Sequence, residues 1–109
     1  MYTNISPTWL TYLIENTPNF ILIDIRNSKE FRDFHIKRSI LIDPANIIEQ
    51  VSKLAVSKNT KLVIYDSNNS TSPYIANELL GEGYHNVSIL EGGFQQWISE
   101  NHPIENLNS

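Results

Sequence analysis

Three short apolar runs, Phe20–Ile25 (FILIDI), Lys61–Tyr65 (KLVIY) and Val87–Leu90 (VSIL), constrain this chain more than any other feature. FILIDI is apolar on both alternating faces, the mark of a strand buried within a parallel sheet rather than half-exposed in an antiparallel one. Ile40–Ile42 reads as a further strand of the same kind. Parallel neighbours need crossovers, and the segments between these runs have the period of helices.

Ser6-Pro7 caps and opens the first helix, with Trp9, Leu10, Leu13 and Ile14 on one face. Ser28–Phe34 reads as a short capped helix. Asp43-Pro44 opens another, with an apolar stripe of Ile47, Ile48, Val51 and Leu54. Ser72 as N-cap and Pro73 as first helical residue start a fourth, which buries Ile75, Ala76, Leu79 and Leu80 and stops at Gly83. Phe94–Ser99, after the Gly92-Gly93 turn, is the last. Trp9, Phe31, Phe94 and Trp97 have the spacing of core residues. Strands alternating with helices call for an α/β fold: a doubly wound, mainly parallel sheet of about five strands with helices on both faces. It occupies residues 1–104, and Glu105–Ser109 is a polar tail.

The chain is long enough for one such domain: 109 residues, 40% hydrophobic, can bury roughly two thirds of the unfolded surface. A net charge of −4, with acids and bases interspersed, gives no electrostatic footprint for nucleic acid or an anionic membrane. No apolar run is long enough to span a bilayer, and the first residues lack the basic region and cleavage site of a secretory signal. These features point to a cytoplasmic domain. There is no cysteine, which excludes disulfides, thiolate metal sites and thiol nucleophiles.

In an open parallel sheet, ligands bind beyond the carboxyl ends of the strands. That rule selects Asp24, with Arg26 just after it, Asp43, Glu91, and the loop Asp66, Ser67, Asn68, Asn69, Ser70, Thr71, Ser72. The loop leads into a helix N-terminus, where backbone N–H groups and the helix dipole favour an anion without any basic side chain. Four acids near one sheet end could hold a divalent cation. Simpler roles are at hand, however: Asp24 can pair with Arg26, Asp43 can cap its own helix, and Glu91 can face solvent. No metal and no cofactor is expected. His35, His85 and His102 share no ligand-like spacing, and the loop serines lack a nucleophile elbow.

Several of these stretches together resemble the rhodanese-like domain family of sulfurtransferases. FILIDIRNSKEF matches the family's strand, Asp-x-Arg and Glu-Phe through Asp24, Arg26, Glu30 and Phe31, and His35-Ile36 matches its His-Ile. LVIYDSNNSTS matches the strand and active-site loop. GYHNVSILEGGFQQWISENHPIE resembles the C-terminal signature through Gly83, Tyr84, Val87, Leu90, Glu91, Gly92, Gly93, Trp97 and Pro103. In active members the loop begins with a cysteine that carries a sulfane sulfur as a persulfide. A glycine, an arginine and a Ser or Thr follow it. The resemblance puts Asp66 at the cysteine, Asn69 at the glycine, Thr71 at the arginine and Ser72 at the serine. Asn69 can keep the turn, because asparagine tolerates positive φ. The segment FHIKRS departs from the family's Gly-His-Ile-Pro-Gly-Ala at Phe34, Lys37, Arg38 and Ser39, so its local conformation is open.

A carboxylate cannot carry sulfane sulfur, and no other residue here can take the thiol's place. The resemblance therefore implies a fold kept and a chemistry lost, with Asp66 either filling the loop's own amide cradle or bonding one N–H in a simple Asx turn. Three functions fit. The first is an inactive rhodanese-like module acting as a binding or regulatory protein, with a protein partner of unknown identity. The second is the docking subunit of a sulfur-transfer system whose thiol comes from a partner. The third, least supported, is a phosphatase-like enzyme using Asp66, to which only Arg26, Lys37 or Arg38 could bring positive charge.

Overall fold

The computed structural model describes residues 1–107. Five parallel strands form its sheet: β1 (Thr3–Ile5), β2 (Phe20–Asp24), β4 (Ser39–Leu41), β5 (Lys61–Tyr65) and β6 (Val87–Leu90), in the order β1-β6-β5-β2-β4. The intervening β3 (His35–Ile36) belongs to a separate two-stranded ribbon, antiparallel to β7 (Ile104–Glu105). The fold is thus the doubly wound α/β sheet that the apolar runs predict, with all neighbours in the main sheet parallel.

Helices cover both faces because the central strands are apolar on both. On one side α3 (Ile47–Leu54) and α4 (Ser72–Gly81) lay Ile47, Val51, Ile75, Ala76 and Leu79 over Ile23, Leu62, Ile64, Val87 and Ile89. On the other, α1 (Pro7–Asn16) and α5 (Gly93–Ser99) bring Leu10, Leu13, Phe94 and Trp97 against Ile5, Leu22, Val63, Tyr65 and Leu90. A short α2 (Ser28–Asp33) is capped by Asn27, whose side chain accepts the Glu30 N–H. Each fully buried Leu or Ile in these layers contributes roughly 1.5–3 kcal/mol by leaving water.

Several details differ from the sequence reading. β1 was not foreseen: three residues, two of them exposed, form an edge strand beside β6. Trp9 is not in the core; it is 53% exposed and stacks on Tyr12 along the outer side of α1. Phe31 is half-buried, stacked on the His35 ring, whereas Phe94 and Trp97 are buried. The fourth strand starts one residue earlier than predicted, at Ser39. Glu105, read as the start of a tail, pairs with His35, and the Leu107 N–H donates to the Arg32 carbonyl. The rest of the predicted tail, 108–109, lies outside the described residues.

The FHIKRS segment resolves into a left-handed turn at Arg38 (φ 74°). An L side chain there costs on the order of 1–2 kcal/mol. The Arg38 guanidinium offsets that cost by donating to the carbonyls of Ile14, Thr17 and Pro18 and by lying 4.3 Å from the centre of the Phe20 ring. It thereby satisfies the carbonyl end of α1, a position that suits a cation. The end of α4 is closed by a glycine instead. Gly83 (φ 95°) donates to Leu80 and Tyr84 donates to Leu79, the paired bonds of a Schellman turn.

Candidate functional site

Asp66 follows the last residue of β5 at the carboxyl end of the sheet, and its side chain turns back into the loop that it opens. Its Oδ1 accepts the N–H of Asn69 at 2.6 Å. Its Oδ2 accepts the N–H groups of Thr71 at 2.7 Å and Ser72 at 3.1 Å, and the Ser72 hydroxyl stands 3.3 Å from Oδ1. The carboxylate therefore takes three backbone N–H groups at the mouth of α4, where the helix dipole also favours negative charge. It is 6% exposed and Ser72 is fully buried.

The loop can wrap a carboxylate because of two features, the first of them local. Asn69 adopts φ 66°, so the chain reverses sharply enough to point its own N–H and those of Thr71 and Ser72 inward. The second is external: α5 clamps the loop's backbone, with Phe94 N–H donating to the Asp66 carbonyl and Gln95 N–H to that of Ser67. Gly93 (φ 63°) makes this approach possible, since a Cβ at that position would fall 2.6 Å from the Ser67 carbonyl oxygen.

Ser72 is not the helix cap that the sequence suggests. It is the first residue of α4, and Thr71, in the cap position, makes no side-chain capping bond. The Asp66 carboxylate, from the far end of the loop, serves the orphan N–H groups instead. The Ser72 hydroxyl is shared between Asp66 and Asn69 side-chain oxygens. Ser67, Asn68 and Ser70 lie on the outer arc: Asn68 accepts the Ser70 N–H, and Ser67 Oγ approaches Glu30 at 3.4 Å.

The other acids are apart from this cradle. Asp24, fully buried, forms a two-pronged ion pair with Arg26, whose Nη2 also donates to the Phe34 carbonyl. Burial works against the charged guanidinium, but the hydrogen bonds and charge of Asp24 outweigh it and carry the Arg26 pKa upward. The guanidinium lies 4.0 Å from the Phe94 ring centre. Behind it, burial and the Asp24 charge push the Tyr65 phenol well above its ordinary range. That hydroxyl donates to Ser39 Oγ and accepts the Ile36 N–H. Asp43 is exposed and caps its own turn through the Ala45 N–H, and Glu91 faces solvent. Among the described residues, no group of three or more acids or histidines is placed to hold a metal ion.

The other basic residues that could have served the loop are placed away from it, beside α1. Arg38 is at the amino end of the sheet, bonded to α1. Lys37 lies beside Thr11, Glu15 and Trp97. The role of Arg38 left no trace in its spacing, because its carbonyl partners lie 20 to 24 residues away.

These features define a class: a doubly wound α/β domain whose strand–loop–helix turn wraps the Asp66 carboxylate in backbone N–H groups. The chain belongs to the family of the Rhodanese-like domain, which matches residues 6–100. It is similar to thiosulfate sulfurtransferase GlpE of Pseudomonas savastanoi pv. phaseolicola, 32% identical over 77 residues that make up 71% of each chain. It is also similar to thiosulfate sulfurtransferase of Bos taurus, 30% identical over 97 residues, 85% of this chain but 32% of that protein. Among solved structures, the Alr3790 protein from Anabaena sp. superposes with a TM-score of 0.86 at 22% identity, covering 94% of this chain and 82% of that one. No helix among the described residues is long and apolar enough to cross a membrane.

Proposed function

We propose that this chain is a catalytically inactive rhodanese-like module that acts by binding a protein partner rather than by transferring sulfur. One observation carries the reading. At the position where the resemblance places the persulfide cysteine stands Asp66, and its carboxylate already occupies the amides that such a loop offers to an anion. The chain has no thiol to take over the role. Arg26, whose guanidinium lies over the Phe94 ring beside the loop, is committed to Asp24 and to the Phe34 carbonyl, which speaks against a phosphatase-like use of Asp66 as well.

Thiosulfate:cyanide sulfurtransferase assays of the natural chain and of Asp66→Cys test this reading. The natural chain is expected to show no turnover. Asp66→Cys is expected to gain weak transfer at most, because Thr71 stands where active members carry an arginine. Turnover by the natural chain, abolished by Asp66→Ala, would overturn the proposal.

A further inference from the structure

Lys61 opens β5 at the end of the sheet opposite the cradle. Strand alternation puts its side chain with Val63 and Tyr65, on the face covered by α1 and α5. Its Nζ stands 3.5 Å from Ser88 Oγ and 3.5 Å from Asn86 Oδ1. Ser88 is buried, and its hydroxyl pairs in turn with that of Thr3 at 2.7 Å, whereas Asn86 is exposed.

The lysines of the chain differ in what they meet. Lys29 and Lys53 pair with Asp33 and Glu49, and a carboxylate holds an ammonium in its charged form. Lys58 donates to the Glu82 carbonyl and lies over the Tyr84 ring, which also favour the cation. Lys37 is beside Glu15. All four are exposed. Lys61 is half-buried, faces two neutral oxygens, and among the described residues takes part in no ion pair. An ammonium has three N–H groups to place; a neutral amine has two, and a lone pair. Two acceptors therefore match the amine and leave its lone pair free. Burial acts in the same direction and lowers the Lys61 pKa. A lysine desolvated without an anionic partner is an activated nucleophile.

From this surrounding we infer that Lys61 is a site of acyl modification, its amine taking the acyl group of an acyl phosphate in preference to the other lysines of the chain. In that step the ammonium first gives a proton to water. The amine nitrogen then attacks the acyl carbon, the carbon–oxygen bond to phosphate breaks, and phosphate leaves with the electron pair. The nitrogen sheds a second proton to solvent. The product is an uncharged amide, whose single N–H needs only one of the two oxygens. The site is independent of the reading of the Asp66 loop, which lies at the other end of the strands.

The test is acetylation of the full-length chain by acetyl phosphate, with the initial rate at each lysine read by peptide mass spectrometry. Lys61 is expected to react about threefold or more faster than Lys37, although Lys37 is the more exposed of the two. In urea that preference should vanish, since it belongs to the folded surroundings. Asn86→Asp sets a carboxylate beside the Lys61 nitrogen; it should bring that rate down to those of Lys29 and Lys53 and leave the other lysines unchanged. A Lys61 rate equal to or below that of Lys37 overturns the inference. So does the same preference in urea, or an unchanged Lys61 rate in a folded Asn86→Asp variant.

Discussion

Replacing Asp66 by alanine leaves the N–H groups of Asn69, Thr71 and Ser72 without their acceptor. The three are not equally exposed to rescue by water. Ser72 is fully buried and bears the whole cost of an unmet donor, about 1–3 kcal/mol. Asn69 is half-buried and Thr71 exposed, so solvent recovers much of their loss, and together they add about 1 kcal/mol. The expected destabilisation is therefore about 2–4 kcal/mol. At an unfolding entropy of about 2.1 cal/mol/K per residue, 109 residues translate this into a fall in Tm of roughly 8–17 °C. Urea unfolding followed by circular dichroism measures the loss directly. Sodium sulfate, compared with sodium chloride at equal ionic strength, should raise the Tm of the variant more than that of the natural chain, because an oxyanion can enter the vacated amides. Sulfate also stabilises proteins by exclusion from their surfaces, and the natural chain controls for that. A loss below about 0.5 kcal/mol would refute the accounting, and equal sulfate responses would show that the cradle does not admit an anion once emptied.

Two further outcomes follow from the same geometry. Tyr65 has a folded pKa raised above its unfolded value of about 10, so the stability that it contributes is complete below that pH and is lost as pH rises beyond it. Tyr65→Phe should be less stable near pH 7 by about 1–2 kcal/mol, through the unmet Ile36 N–H, yet lose stability less steeply above pH 10; urea midpoints across pH 7–11 check both. The lowered Lys61 pKa acts with the opposite sign in both proteins and cancels from the comparison. Gly93→Ala should cost about 2–4 kcal/mol by driving a Cβ onto the Ser67 carbonyl at positive φ, whereas Gly81→Ala, with nothing within 4 Å, should be neutral or stabilising by up to about 1 kcal/mol in thermal unfolding.

The central strands were legible because burial on both faces forces an unbroken apolar run, as in Leu62–Tyr65 and Phe20–Ile23. β1 was not, because an edge strand needs only one inward residue, here Ile5. Trp9 misled because a bulky aromatic one position from Leu10 reads as core, while Leu10 and Leu13, with Ile14 beside them, are the α1 residues that meet this core. The candidate loop was visible through Asp66 and Asn69, a turn-former at the position that needs positive φ. Which amides the carboxylate would take was not visible, since that depends on α5 pressing Gly93 against the loop from a separate part of the chain. Arg38 stood where a glycine is usual in the family, a signal of unusual backbone, but its compensating carbonyls are set by tertiary packing alone.

The position of β1 has a consequence for how the chain becomes a sheet at all. Thr3–Ile5 has one neighbour in the sheet, Ser88–Leu90, and the hydroxyl contact between Thr3 and Ser88 spans 85 residues. On a ribosome adding about 5–20 residues per second, β1 waits roughly 4–17 s for β6, the strand that it pairs with. The loop-closure entropy of that pairing is large, and the short β1 edge gains few contacts to offset it. Completion of the sheet at β1 is thus expected late in folding, and hydrogen exchange should find its amides opening before those of the central β2, β5 and β6.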